Sequence, residues 1–299
     1  MIFYKILKLF NKKKYLEIKY NKKKNKELEY YKKNIEPELI KIFNNINKKK
    51  KLSFIHSGHL GDLIYSLPVV KEISKTHLCN FYIKTNVKSN AVNINHPLGD
   101  VFINDKTAEM LLPLLKKQSF IKKVLLYKHE NIDVNLDFFR KVPINFFFHS
   151  SRWYSHLTGI HFDMNHPVLE INKHKIITNK IVIVRSKRYR NKFINYKFLN
   201  NEKNIVFLGL KDEYDDLKKD IKNLDFYDCK DFLEMAEIIK ACKCFIGNES
   251  FAFSIAEQLK VPRLLEASPE FPVVFPIGGN GKDFYHQIHF EKFFFEMTN

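Results

Sequence analysis

Leu52-Ser53-Phe54-Ile55-His56-Ser57-Gly58-His59-Leu60-Gly61-Asp62-Leu63-Ile64-Tyr65-Ser66-Leu67-Pro68 decides the fold. Leu52 to His56 is a short apolar run bounded by Ser57-Gly58, which reads as a buried strand. Gly61-Asp62 then opens an apolar-rich helix, with Pro68 near its first turns and Val69, Val70 and Ile73 continuing the same face. A strand, a tight glycine turn and a helix make the first half of a βαβ unit, which calls for a parallel sheet.

Working outward, the alternation continues. Asn80–Lys84 and Lys123–Tyr127 read as strands, Ala108–Lys117 and Ile144–Leu157 as helices. The stretch from His166 to Asn179 reads as a linker. Ile181–Val184 then starts a second series: strands at Asn204–Gly209, Cys244–Gly247 and Pro262–Glu266, and helices at Glu213–Ile221, Phe232–Ala241 and Ser250–Leu259. The fold class expected is α/β, with two doubly wound units of similar size joined by one linker. The expected division is 1–50 as a basic helical extension, 51–172 and 173–285 as the two domains, and 286–299 as a C-terminal helix.

The 299 residues are 45% hydrophobic and 14% aromatic, enough for full cores, which excludes disorder over most of the chain. The net charge is +18, unevenly spread. Residues 1–51 hold 17 Lys against 5 Glu, a net +12, whereas the other 248 hold 34 Lys and Arg against 28 Asp and Glu. This arm reads either as a basic segment touching an anionic membrane surface or as a solvated helical extension, interrupted at Pro37. Few aromatics interleave with arginine in an RNA-binding pattern, so no specific nucleic acid is expected. Met1–Phe10 lacks the marks of a secretory signal, and four scattered cysteines do not make a disulfide scaffold. A cytoplasmic setting, with peripheral membrane contact through the arm, is the expectation.

Four stretches carry candidate chemistry. Gly58, His59, Gly61 and Asp62 lie where a strand ends and a helix begins, the position at which open α/β sheets bind ligands. Asp62 is either the cap of that helix or a general base for an acceptor hydroxyl. Arg185, Ser186, Lys187, Arg188, Arg190 and Lys192 follow the strand Ile181–Val184, and such cations compensate a diphosphate. Asn248, Glu249, Ser250 and Phe251 sit at another strand-to-helix turn, with Ser250 and Asn248 as candidate caps and free N–H groups for a phosphate or ribose. Gly209 and Glu213 mark a fourth, where Glu213 or Asp212 meets a sugar or base, or is an ordinary first-turn acid. His156, His161 and His166 recur every five residues, a spacing that does not keep three side chains on one helix face, and no metal site is expected. Cys242-x-Cys244 reads as two buried thiols at a strand start.

In order and together, these stretches resemble the GT-B glycosyltransferases of the ADP-heptose–lipopolysaccharide heptosyltransferase type, glycosyltransferase family 9. Gly61-Asp62-Leu63-Ile64-Tyr65-Ser66-Leu67-Pro68 is similar to that family's Gly-Asp-x-x-x-x-x-Pro element, and Gly247-Asn248-Glu249-Ser250-Phe251 with Ala256 to its Asp-Thr-Gly…Ala-Ala element. The resemblance covers roughly 52–285 and implies an inverting, metal-independent transfer with Asp62 as base. It also implies two Rossmann-like doubly wound domains facing a cleft, a nucleotide-sugar donor held mainly by the second domain, no cofactor beyond that substrate, and a glycan or lipid-linked acceptor. Asn248, Glu249 and Ser250 depart from the second motif, so the donor need not be ADP-heptose. A non-catalytic nucleotide- or glycan-binding protein, and a basic membrane-surface or nucleic-acid-binding protein, are the rival readings.

Overall fold

The computed structural model describes residues 8–89, 96–142, 149–268 and 273–298. Two parallel sheets form. In the first, β1 (Lys51–His56), β2 (Leu78–Ile83), β3 (Lys123–Leu126) and β4 (Val134–Asn135) run in the order β3-β2-β1-β4. In the second, β5 (Ile181–Val184), β6 (Ile205–Leu208), β7 (Asp225–Tyr227), β8 (Cys244–Asn248), β9 (Arg263–Glu266) and β10 (Gly281–Phe284) run β10-β9-β8-β5-β6-β7. Numbered within the second sheet this is the Rossmann order, and the first sheet carries its first four places. The order reverses between β1 and β4 in one sheet and between β5 and β8 in the other. In such folds ligands bind outside the carboxyl ends of the strands at those points.

The helices are α1 (Lys12–Tyr30), α2 (Glu36–Lys48), α3 (Leu60–Ser74), α4 (Asp105–Lys116), α5 (Ser151–Thr158), α6 (Lys211–Leu217), α7 (Phe232–Ala241), α8 (Phe251–Leu259) and α9 (Gln287–Thr298). α3 packs on α8 and α4 on α7, so helices of the two sheets meet directly. One apolar core runs through both, from Leu52 and Phe54 to Phe245 and Leu265. A second core on the far face of the larger sheet takes in Phe290 and Phe294 of α9.

Several expectations need correcting. Pro68 lies in the middle of α3, not in its first turns, and does not end it. Nine residues of that helix, from Leu63 to Ile73, are buried, and their packing outweighs the lost hydrogen bond. Pro37 does not break the arm. It follows a π-helical turn, Tyr31–Ile35, in which the Glu36 N–H reaches back to the Tyr31 carbonyl, and the looser turn accommodates the ring. The helix expected over 144–157 spans Ser151–Thr158 among the described residues and stops at Gly159 in the left-handed region, φ 73; residues 143–148 lie outside them. β4, β7 and β10, all short, lie outside the strands that the apolar runs predict.

Ile42 and Ile46 bury one face of α2 against the body, continued by Ile35 from the π-helical turn before it. α1 buries nothing. It is fastened at its end, where the Tyr30 hydroxyl donates to the Lys141 carbonyl at 3.2 Å. Among the described residues no helix is long and apolar enough to cross a membrane.

Candidate active site

A cavity of about 610 Å³ opens between the carboxyl ends of the two sheets. His59, Gly61, Asp62 and Tyr65 line it from the β1–α3 corner, with His96 and Phe102 beside them. Ser186, Arg188 and Tyr189 line it from the loop after β5, Gly209 and Glu213 from the β6–α6 corner, and Glu249, Ser250 and Phe251 from the β8–α8 corner. The aspartate and the basic loop therefore share one cleft.

The β1–α3 corner is built on two glycines. Gly58 has φ +102, and a Cβ there would lie 2.6 Å from Ile103 Cγ1, so no other residue fits. Gly61 faces Ser254 of α8, with room for a Cβ at 3.9 Å from its Oγ. The helix cap is His59 rather than Asp62. Asp62 sits in the first turn, and its carboxylate faces the cleft with 21% of the side chain exposed. Asp62 Oδ2 accepts from Arg140 Nη2 at 2.6 Å. The same guanidinium pairs with Asp137 and donates to the Gly58 carbonyl. Burial opposes its charge, but Asp62 and Asp137 more than offset that and hold Arg140 above its ordinary pKa.

Behind this pair lies a buried chain. Gly58 N–H donates to His56 Nδ1 at 2.9 Å, which leaves the proton of the neutral ring on Nε2. His56 Nε2 meets the Tyr154 hydroxyl at 2.9 Å, and that hydroxyl donates to the Asp62 carbonyl at 2.8 Å. His56 Nδ1 is also 3.2 Å from Asp137, but burial pushes the imidazole down to about 4, so the contact is not an ion pair near neutrality. Asp62 is thus held through both its backbone and its side chain.

The basic loop divides in a way its sequence does not announce. Arg185 is only 8% exposed, and its fork grips Glu266 at 2.7 and 2.8 Å while lying 4.8 Å over the Tyr196 ring. Burial acts against it, but the Glu266 hydrogen bonds hold it above its ordinary pKa. Arg190 pairs with Asp216 and donates to the Ser186 carbonyl. Lys192 is exposed beside Phe193. None of these three lines the cavity, so their expected place at a donor phosphate is corrected: Arg185 is committed to Glu266, Arg190 to Asp216 and the loop, and Lys192 to solvent. Arg188 does line it, and its Nε is buried with no hydrogen-bond partner among the described residues.

Asn248 is also corrected. It is fully buried and does not line the cavity. Its Oδ1 accepts from Ser186 N–H at 2.9 Å, and its Nδ2 donates to the Ser186 carbonyl at 2.9 Å and the Arg188 carbonyl at 2.6 Å. It clamps the β5 loop across the switch point. Ser250, not Asn248, caps α8, accepting from Phe253 N–H at 3.3 Å. Phe251 opens that helix, its ring 4.6 Å from Phe232. Glu249 is 6% exposed, and burial pushes its carboxyl up to about 8. Glu213 accepts from Lys187 N–H at 3.1 Å, and burial raises its pKa also.

Two site residues carried no signal that singled them out: Arg140 and His96. Arg140 comes from a 3-10 turn, Leu136–Lys141, that follows the two-residue strand β4. An Asp-x-x-Arg pair after a strand at the switch point is the sole hint in the chain.

No protein-family model and no curated protein sequence matches the chain. Solved structures do. E. coli ADP-heptose lipopolysaccharide heptosyltransferase II aligns with a TM-score of 0.52 at 10% identity, over 84% of this chain and 98% of that one. A family 9 glycosyl transferase from Veillonella parvula DSM 2008 aligns at 0.48 and 14% identity, over 84% and 89%. E. coli heptosyltransferase WaaC with ADP-2-deoxy-2-fluoro heptose aligns at 0.48 and 11%, over 83% and 100%. The fold is therefore that of heptosyltransferase II, the GT-B arrangement of two Rossmann-like sheets about a cleft.

Proposed function

We propose that this chain, built on the heptosyltransferase fold, is an inverting glycosyltransferase that moves a sugar from a nucleotide-diphosphate donor to a glycan or lipid-linked acceptor. The observation that carries the proposal is the shared cleft: Asp62 on one wall, Arg188 and the α8 start on the other. Asp62 takes the proton of an acceptor hydroxyl. The freed oxygen attacks the anomeric carbon from the face opposite the donor phosphate. The bond from that carbon to the diphosphate oxygen breaks, and the nucleoside diphosphate leaves with the electron pair. One displacement inverts the centre. Arg188 and the N-terminal amides of α8 stabilise the charge that grows on the leaving oxygens, a part a divalent cation would otherwise play. Glu213, beside Gly209, is placed for a hydroxyl of the donor.

The test is Asp62→Asn, assayed against a panel of nucleotide-sugars after a thermal-shift screen with ADP, UDP, GDP and CMP derivatives. Transfer should fall ~10²–10⁴-fold while nucleotide binding persists. Normal turnover of the variant would remove Asp62 from the reaction. Binding without turnover by the unaltered chain would favour a non-catalytic carrier of the same ligand.

We also assign α1 to an anionic membrane surface, where a lipid-linked acceptor would reside. It carries eight lysines and buries no residue, and Leu16, Tyr20 and Leu28 are exposed along it. Each lysine near such a surface contributes about 1 kcal/mol. Deleting residues 1–30 should abolish salt-sensitive binding to phosphatidylserine vesicles; retained binding would refute the assignment, and preferential binding to an oligonucleotide would replace it.

A further inference from the structure

His59 and His96 stand with ring centroids 5.0 Å apart on the cleft wall of the first sheet, and Phe102 packs edge-on against His59 at 4.8 Å. Arg188 reaches the same cavity from the second sheet. His59 Nδ1 and Arg188 Nε are both buried without a hydrogen-bond partner among the described residues. Leu98 N–H donates to His96 Nδ1 at 3.1 Å, which puts the proton of its neutral ring on Nε2 as a donor. Asp62, the carboxylate whose charge acts on His59, is already taken by Arg140. A cation with no carboxylate partner among the described residues, two imidazoles and an orphaned ring nitrogen leave the cleft short of one anion.

We propose that His59, His96 and Arg188 form a phosphate subsite that spans the two walls of the cleft. It rests on the glycosyltransferase reading only for the source of the phosphate, which is the diphosphate of the donor or a phosphate carried by the acceptor. Both sources share the chemistry: oxygens that accept from a guanidinium on one side and from imidazole N–H groups on the other.

The subsite is linked to protons. Burial lowers both imidazoles, His96 to about 4, and the charge of Arg188 lowers them further. Asp62 raises His59 and Arg140 lowers it; Tyr65, Lys106, Tyr189, Glu213 and Glu249 are the other titratable groups on the cavity. A bound phosphate reverses the effect of Arg188 and raises both rings. Binding therefore takes up protons, and affinity rises as pH falls through the pKa of the bound complex.

The experiment is calorimetry on the full chain with inorganic pyrophosphate and with ADP and UDP, in buffers of differing ionisation enthalpy, from about pH 5.5 to about pH 7.5. The unaltered chain should take up protons beyond the probe's own. The double variant His59→Asn/His96→Asn should bind ~10-fold more weakly near the acid end and lose the extra uptake. Arg188→Gln should weaken binding at every pH. Should the double variant fail to melt as the parent does, His59→Gln and His96→Gln singly carry the same proton-uptake readout. Inorganic phosphate titrated into nucleotide-saturated protein separates the sources: competition assigns the subsite to the donor, continued binding to the acceptor, and either supports it. Folded variants that bind with the parent's affinity and pH dependence overturn it. The measurement needs no turnover, so its failure is distinct from normal transfer by Asp62→Asn.

Discussion

Arg140 Nη2 lies 2.6 Å from Asp62 Oδ2, and the same guanidinium also holds Asp137 and the Gly58 carbonyl. Three acceptors on three segments converge on one planar fork. A lysine carries its three donors on one compact tetrahedral ammonium and lacks the planar fork that these acceptors are arranged around. Arg140→Lys should therefore lower kcat with little change in nucleotide affinity. Arg140→Gln should also destabilise the fold by ~3 kcal/mol, the lower end of the cost of breaking a buried ion pair. Steady-state kinetics and urea unfolding check both.

Asn248 departs from the aspartate of the resembling motif, and its contacts explain the difference. Its amide donates to two carbonyls, Ser186 and Arg188, while its oxygen accepts from one N–H. A carboxylate has no donors to give. Asn248→Asp should take one donor from each carbonyl, leaving Ser186 O to Arg190 Nε and Arg188 O to Ser186 Oγ, and set a buried carboxylate against them, at about 1–3 kcal/mol. It should also weaken nucleoside diphosphate binding by freeing the Arg188 loop. A melting curve and a binding isotherm on one sample test this.

Arg185 and Arg188 are three positions apart and have opposite roles. Arg185→Gln breaks the grip on Glu266 and leaves a carboxylate that is fully buried. It should cost ~3–5 kcal/mol of stability. Arg188→Gln should melt within about 0.5 kcal/mol of the parent, because it breaks no pair. Its loss should appear in donor binding instead.

Glu249 makes stability depend on pH. Its folded carboxyl is held up to about 8, against an ordinary value of 4.5 in the unfolded chain. A raised pKa means the folded state keeps a proton that the unfolded chain gives up. Its stabilising effect is complete below 4.5 and is lost as pH rises to about 8. The slope is at most ~1.4 kcal/mol per pH unit. Glu249→Gln should flatten that slope, so its melting temperature should gain on the parent at the alkaline end. Parallel pH profiles would show the carboxyl does not titrate there.

Strand-turn-helix punctuation is local, and so it was readable: Ile181–Val184 and Phe232–Ala241 emerge with the bounds their apolar runs predict. The corners that line the cleft follow from the same reading, since each is a strand end meeting a helix start. Which cation faces the cleft is a different kind of fact. It depends on where Glu266 and Asp216 arrive, and these lie 81 and 26 positions from Arg185 and Arg190. Local patterning holds no record of such partners. Arg140 was invisible for a related reason, because a two-residue strand leaves almost no periodic trace.

α3 packs on α8 one residue from Asp62, where a Cβ on Gly61 would come 3.9 Å from Ser254 Oγ. If the two sheets swing apart or together, that contact is the fulcrum. Points near a fulcrum barely travel, whereas residues on the opposed walls, such as Arg188 and His96, move relative to one another. The carboxylate would keep its station through each stroke, and the cationic jaws would do the moving.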